Sequence, residues 1–174
     1  TKGFITTLGI RFLEIFYDSI QSLPGGVVIA CYSGNNIIGF VSGTAGTDSI
    51  YKSILFKHPF ILSFILFKSI FSLKKMKRIL ETVKYSSSFE DENGGFPEAE
   101  LISLAVDPEF RRQGIARLLC SSLEDEFRRL CCKEYKVMVG SVLIDSQKFY
   151  KSIGAVKKKE ISVHSGEKSW IYIK

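Results

Sequence analysis

The sequence predicts a mixed α/β fold of the α+β kind: a mostly antiparallel twisted sheet flanked by helices, with a helical insertion at about residues 48–84. Three observations carry this. Two β-rich runs, Val27–Tyr32 and Ile37–Val41, are separated by Ser-Gly-Asn-Asn, a hairpin signal. An apolar run at 99–106, an amphipathic pattern and a second β-rich run at 135–139 follow in the order of a single strand–helix–strand crossover. The chain then closes with a second hairpin, Ala155–Val163 and Lys168–Ile173, turning at His-Ser-Gly-Glu.

Each element has its own warrant. Ile10, Leu13, Phe16, Tyr17 and Ile20 recur at helical spacing, so a helix is expected from about residue 8 to 21, stopped by Leu-Pro-Gly-Gly at 23–26. Within 48–84, Pro59 can open a helix that is apolar nearly all round through Phe67. Beyond it, Leu73, Met76, Leu80 and Val83 keep one apolar face while Lys74, Lys75, Lys77, Arg78 and Lys84 take the other. The polar stretch SSSFEDENGGFP at 86–97 reads as a loop. AELISLAV at 99–106 has few polar positions and reads as a central strand covered on both faces. In the next helix Ile115, Leu118, Leu119, Leu123, Phe127 and Leu130 form the expected core stripe, with Glu124/Arg128 and Asp125/Arg129 paired on the outside. A strand at 135–139 and a short helix at 145–152, with Asp145 as a candidate cap, lead into the last hairpin.

Length and composition limit what this chain can be. Its 174 residues suit one domain, 1–174, with the insertion inside it, and 45% apolar with 24% charged residues is the globular range. The longest uncharged apolar run, HPFILSFILF, is about half of what a membrane-spanning helix needs. The net charge of +6 is local: residues 50–85 hold eight Lys/Arg against Glu81, and the remainder holds 16 basic and 17 acidic side chains. A nucleic-acid-binding fold is therefore not expected. Cys31, Cys120, Cys131 and Cys132 have neither CxxC spacing nor a nearby histidine, so reduced thiols in a cytoplasmic protein and no metal site are expected. His58 and His164 read as surface or structural residues. The chain opens at Thr1 within a helical pattern, as a sequence lacking its native N-terminus would.

The chemistry concentrates in DPEFRRQGIARLL, residues 107–119. A helix N-terminus presents unpaired N–H groups and partial positive charge, which suits a phosphate. Gly114 permits close backbone approach, Ala116 keeps the next turn low, and Arg111 and Arg112 add charge at the rim. Neither GxxxxGK[ST] nor a GxGxxG after a strand is present, which sets aside the two common nucleotide loops. On local chemistry alone, a tight turn with solvated arginines explains the stretch equally well.

AELISLAVDPEFRRQGIARLL resembles the acetyl-CoA-binding motif of the GNAT acetyltransferase superfamily, [RQ]-x-x-G-x-[GA], with Arg111, Gly114 and Ala116 in its fixed places. DSQKFYKSIGA resembles that superfamily's second motif, a Phe-Tyr pair ending in Gly before a strand. The order of elements agrees from about residue 8 onward, and the first strand of such a fold is expected before Thr1. The segment 48–84 is similar to the insertion of a GNAT subgroup, placed between the third and fourth strands. The resemblance implies that the pyrophosphate of acetyl-CoA rests on the N–H groups of residues 112–117 (Arg112, Gln113, Gly114, Ile115, Ala116, Arg117). It implies that the pantetheine arm pairs with the backbone of Leu104, Ala105 and Val106, where two strands splay.

The resemblance also assigns the chemistry. Glu100 stands where several members keep a catalytic glutamate, and burial beside Leu101 and Ile102 raises the pKa of such a base toward its working range. The opposing expectation is a strand-edge glutamate facing solvent. Tyr150 aligns with the tyrosine that assists the leaving CoA thiolate; the alternative is a core aromatic. One departure stands out: the asparagine six residues before the Phe is replaced by Leu143. It leans toward a rival expectation, a non-catalytic acyl-CoA-binding or partner-docking module. The implied acceptor is a primary amine of a small molecule or peptide, with oxygen acceptors the alternative chemistry. For the insertion, a lid over the acceptor pocket and a hairpin with solvated lysines rank above peripheral contact with a membrane. A homodimer is compatible with all of this.

Overall fold

In the computed structural model, residues 9–46, 95–163 and 167–174 are described. The insertion at 48–84, His58, His164 and most of the polar stretch 86–97 lie outside the described residues. Helix α1 (Ile10–Gln21) buries Phe16 and Ile20, one helical turn apart, against Val28 and Ile102 of the sheet. Tyr17, beside that stripe, meets Phe40 edge-on with ring centroids 5.3 Å apart. Strands β1 (Gly26–Ser33) and β2 (Asn36–Thr44) then form an antiparallel hairpin around Gly34 and Asn35.

β3 (Glu100–Val106) pairs antiparallel with β2, with a bulge between Ser42 and Gly43. The bulge places two successive β3 residues on the α1 side, since Ile102 packs on Phe16 and Ile20 while Ser103 accepts a 3.2 Å hydrogen bond from the Tyr17 hydroxyl. Leu104 and Val106 return to the other face, where Leu101 already sits. That face is covered by α2 (Ile115–Arg129), with Leu119, Leu123 and Phe127 packed over Val41 and Leu101. The helix lies close because β2 offers no side chain at two points. A Cβ on Gly43 would stand 2.8 Å from Phe127 and 2.9 Å from the Glu100 carbonyl, and one on Gly39 would stand 3.0 Å from the Ala105 carbonyl.

α2 ends in a Schellman arrangement: Cys132 N–H donates to Phe127 O at 2.8 Å and Cys131 N–H to Arg128 O at 3.0 Å. Cys131 occupies the left-handed position (φ 62°) that glycine usually fills. β4 (Lys136–Gly140), α3 (Ile144–Ser152), β5 (Val156–Val163) and β6 (Glu167–Ile173) complete the chain in the order β1-β2-β3-β4-β6-β5. The β3–β4 pair is parallel and the other neighbouring pairs are antiparallel, so the predicted mixed, mostly antiparallel sheet flanked by helices is observed.

Three local expectations need correction. Leu118 and Leu130 are 59% and 41% exposed, while Cys120 is buried in the stripe. Leu118 lies at its flank and Leu130 is the C-cap residue, past the last packed turn. Arg129 pairs with Glu126 rather than Asp125, and Asp125 pairs with Arg128, because residues three apart on a helix also meet. Asp145 does not cap α3; the cap position is Leu143 and Asp145 lies in the first turn.

Candidate functional site

Parallel pairing between β3 and β4 is confined to Glu100↔Lys136 and Leu101↔Val137. Beyond Leu101, β3 keeps β2 on one side through Leu104, Ala105 and Val106, and no described strand pairs with its other side. Such a fork leaves backbone donors and acceptors aimed into the gap, and they demand partners. One is already taken: Arg111 Nε donates to Val106 O at 3.1 Å, so this arginine folds back on the strand end instead of standing free at the rim.

At that same end the chain makes a short 3₁₀ turn (Pro108–Phe110), fixed by the Asp107 carboxylate accepting from Glu109 N–H at 2.9 Å. Arg112 and Gly114 then adopt left-handed backbone, with φ 62° and 85°. Gly114 is the N-cap of α2, and no side chain caps the helix there. The N–H groups of Ile115, Ala116 and Arg117 precede the first intrahelical donor, Leu118 N–H, which reaches Gly114 O at 3.0 Å, and they lie at the positive end of the helix dipole. A Cβ on Gly114 would meet no atom within 4 Å, so the ground before the helix is open. Arg111, Arg112, Gln113 and Arg117 are all exposed around it, with Gln113 Nε2 donating to Glu109 O at 3.3 Å.

Glu100 lies at the apex of the fork. Ala99 and Leu101 both pack in the α2-side core, so alternation puts Glu100 on the α1 face. It is half-buried, and burial pushes its carboxyl up to about 7, opposed by the Lys136 ammonium on the paired strand. Tyr150 approaches from the opposite face. On α3 it is 6% exposed, packed in the core with Phe149 and Tyr172, and burial, with Cys120 beside it, raises its pKa and keeps the phenol protonated. Glu100 and Tyr150 thus flank the sheet from opposite faces rather than meeting on one surface.

Two residues that the sequence did not single out matter here. Lys136 emerges only from the parallel register, which no spacing rule reveals. Gln147 supplies an amide near Leu143: its Nε2 donates to Ser141 O at 2.8 Å and its Oε1 accepts from the Tyr172 hydroxyl at 3.4 Å. Leu143, where the resemblance expects asparagine, is 39% exposed between Val142 and Ile144, which are exposed as well. Lys157, on the outer strand β5, places its Nζ 2.9 Å over the Trp170 ring. A separate groove of about 390 Å³, lined by Phe96, Glu98, Cys132 and Glu134 among others, lies at the other end of β3 and β4, away from the fork. Cys31, Cys120, Cys131 and Cys132 are free thiols. Among the described residues no set of three His, Cys, Asp or Glu could hold a metal, and no helix is long and apolar enough to cross a membrane.

Solved structures share this arrangement. A Desulfovibrio desulfuricans protein described as a GNAT-family acetyltransferase superposes with a TM-score of 0.58 at 11% identity, covering 98% of this chain and 85% of its own. A Bacillus anthracis protein described as a streptothricin acetyltransferase, in complex with acetyl coenzyme A, gives 0.57 at 13% identity, covering 91% and 67%. An aminoglycoside 6′-N-acetyltransferase from Acinetobacter haemolyticus gives 0.55 at 12% identity, covering 87% and 76%. At these identities the likeness establishes the fold alone. No curated protein matches the chain in sequence. The family model of the acetyltransferase (GNAT) family matches residues 4–155, a span that holds both the forked strand pair and the uncapped helix. With the fold and the sequence model in agreement over most of its length, the chain belongs to the GNAT acetyltransferase family.

Proposed function

We propose that the protein is an acetyl-CoA-dependent N-acetyltransferase acting in the cytoplasm on a primary amine of a small molecule or peptide. The observation that carries this is the β3–β4 fork opening beside the uncapped N-terminus of α2. An extended arm bearing amides fits a strand edge that lacks its neighbour, and a pyrophosphate fits bare helical N–H groups ringed by arginines. Ile115, Ala116 and Arg117 offer the N–H groups, Arg112 and Gln113 border the anion, and Leu104 with the N–H of Val106 offers the strand edge, while the backbone of Ala105 faces β2. Arg111 holds Val106 O and so stiffens the strand end beside the anion.

Acetyl-CoA supplies an acyl group activated as a thioester. The amine must be neutral to attack it, and Glu100, ionised above about pH 7, takes the proton from the α1 face. Tyr150, kept protonated by burial, offers its hydroxyl to the departing sulfur from the α2 face. The non-catalytic alternative is favoured by one observation, the apolar Leu143 where a polar cofactor contact is expected.

Titration calorimetry with CoA tests the binding half. Gly114→Glu, which sets a carboxylate where the pyrophosphate rests and strains a left-handed position, should abolish binding while the fold persists by circular dichroism. Unchanged affinity would refute the assignment. CoA release with amines, polyamines, amino sugars, peptides and alcohols separates enzyme from binding module and nitrogen from oxygen acceptors.

A further inference from the structure

Lys136 has no part in the chemistry above, yet it is the β4 register partner of the residue assigned as base. Glu100↔Lys136 and Leu101↔Val137 are the two pairs that join β3 to β4. Val137 and Val139 pack in the α2-side core, so Lys136 points to the opposite face, the one Glu100 occupies. The two side chains therefore stand as cross-strand neighbours at the closed end of the fork, and Lys136 is itself only half-exposed.

Among the described residues, the other groups around Glu100 are neutral or turned away. Across β2 its register partner is Thr44, fully buried, whose hydroxyl donates to Gly46 O at 2.9 Å. On α1, packed over this face, the buried positions are Ile15, Phe16, Ser19 and Ile20, while the charged residues Arg11, Glu14 and Asp18 are exposed. Tyr17 is engaged with Ser103. In the approach to β3, Glu98 is exposed, and beyond Lys136 the β6 partner is Ile173. Among the described residues, Lys136 is the charged group that shares the face and the register of Glu100.

We infer that Lys136 is a positioning residue for the acetyl transfer, its ammonium, cross-strand from Glu100 at the closed end of the fork, setting the pH at which the Glu100 carboxylate forms. Two opposed influences act on this carboxyl. Burial alone favours the protonated acid, which could not accept the amine's proton at neutral pH, and a neighbouring cation favours the carboxylate. Their balance, rather than either one, leaves Glu100 titrating near neutrality. The inference rests on the proposed role of Glu100 as base, and its test is arranged so that the two can fail separately.

The direct readout is the Glu100 carboxyl titration in the uncomplexed protein, followed by carbon-detected NMR of glutamate-labelled protein and assigned by its loss in Glu100→Gln. Lys136→Met should move the midpoint upward by on the order of one pH unit. Lys136→Arg should stay close to wild type, and Lys133→Met, which removes a charge from the exposed loop before β4, should not move it. An unmoved midpoint in Lys136→Met overturns the inference; so does a shift of equal size in Lys133→Met, which would mark a general charge effect. The second readout is the pH profile of kcat/KM with whichever acceptor of the amine panel turns over. Its acidic limb should follow the titration upward in Lys136→Met, a displacement that loss of packing alone would not cause. If the limb survives in Glu100→Gln while the titration still responds to Lys136, Glu100 is not the base and the hold of Lys136 on its carboxyl stands. If Glu100→Gln removes the limb while Lys136→Met leaves both readouts in place, the base stands and the inference falls.

Discussion

Glu100 carries a conflict that a single substitution can expose. A carboxyl raised from 4.5 to about 7 binds more protons folded than unfolded, so its favourable contribution is present below about pH 4.5 and is lost as pH rises through 7. Glu100→Gln should therefore gain on wild type across that window, by on the order of 2 kcal/mol at pH 8 in urea melts. The same variant should lose roughly 10²–10⁴-fold in rate above neutrality, with the acidic limb gone. Tyr150→Phe should lower kcat by about 10²-fold with CoA affinity unchanged in calorimetry, whereas a purely structural Tyr150 would leave kcat alone. These two positions were legible in the sequence only through motif resemblance, because a glutamate at a strand start and a tyrosine on a short helix carry no spacing signal. Lys136 was not legible at all. Its significance is a matter of register between strands separated by a whole helix, and register follows from tertiary packing.

Elements were easier to read than partners. The α2 stripe was placed by periodicity, but periodicity gives a face and not its edges, which is why Leu118 and Leu130 are exposed and Cys120 is buried. Two substitutions test how these elements are held. Cys131→Gly should stabilise the fold by about 1 kcal/mol, seen as a raised Tm, because it relieves a left-handed backbone that a Cβ opposes. Gly43→Ala should destabilise by about 1–3 kcal/mol. Its methyl would stand against Phe127, Leu123 and the Glu100 carbonyl, so α2 must lift or the β3 edge must shift. The second cost should appear in CoA affinity too, since β3 forms one arm of the fork. Neither glycine-for-packing nor the β2–β3 bulge leaves a sequence mark distinct from an ordinary strand glycine, so both were invisible before the structure.

At the scale of the molecule, the mixed sheet with a single crossover was legible because hairpin signals bracket one amphipathic helix, an order few folds share. A global probe is built in: Cys120 is buried with its thiol pushed up to about 12, and Cys131 is exposed. A thiol reagent should label Cys131 rapidly in the native protein and reach Cys120 only through unfolding, so its rate on a Cys31→Ser, Cys131→Ser, Cys132→Ser variant reports opening of the core. The fork adds something about the molecule as a mechanical object. Two residue pairs, Glu100↔Lys136 and Leu101↔Val137, join the three-stranded half β1–β2–β3 to the three-stranded half β4–β6–β5. An arm bound in the gap would act as a further rung-bearing member, tying two halves whose described strand pairing is confined to one end. The acyl donor would then be a structural brace as well as a reagent, slowing amide exchange in both halves at once, and the sheet would slacken each time it departs.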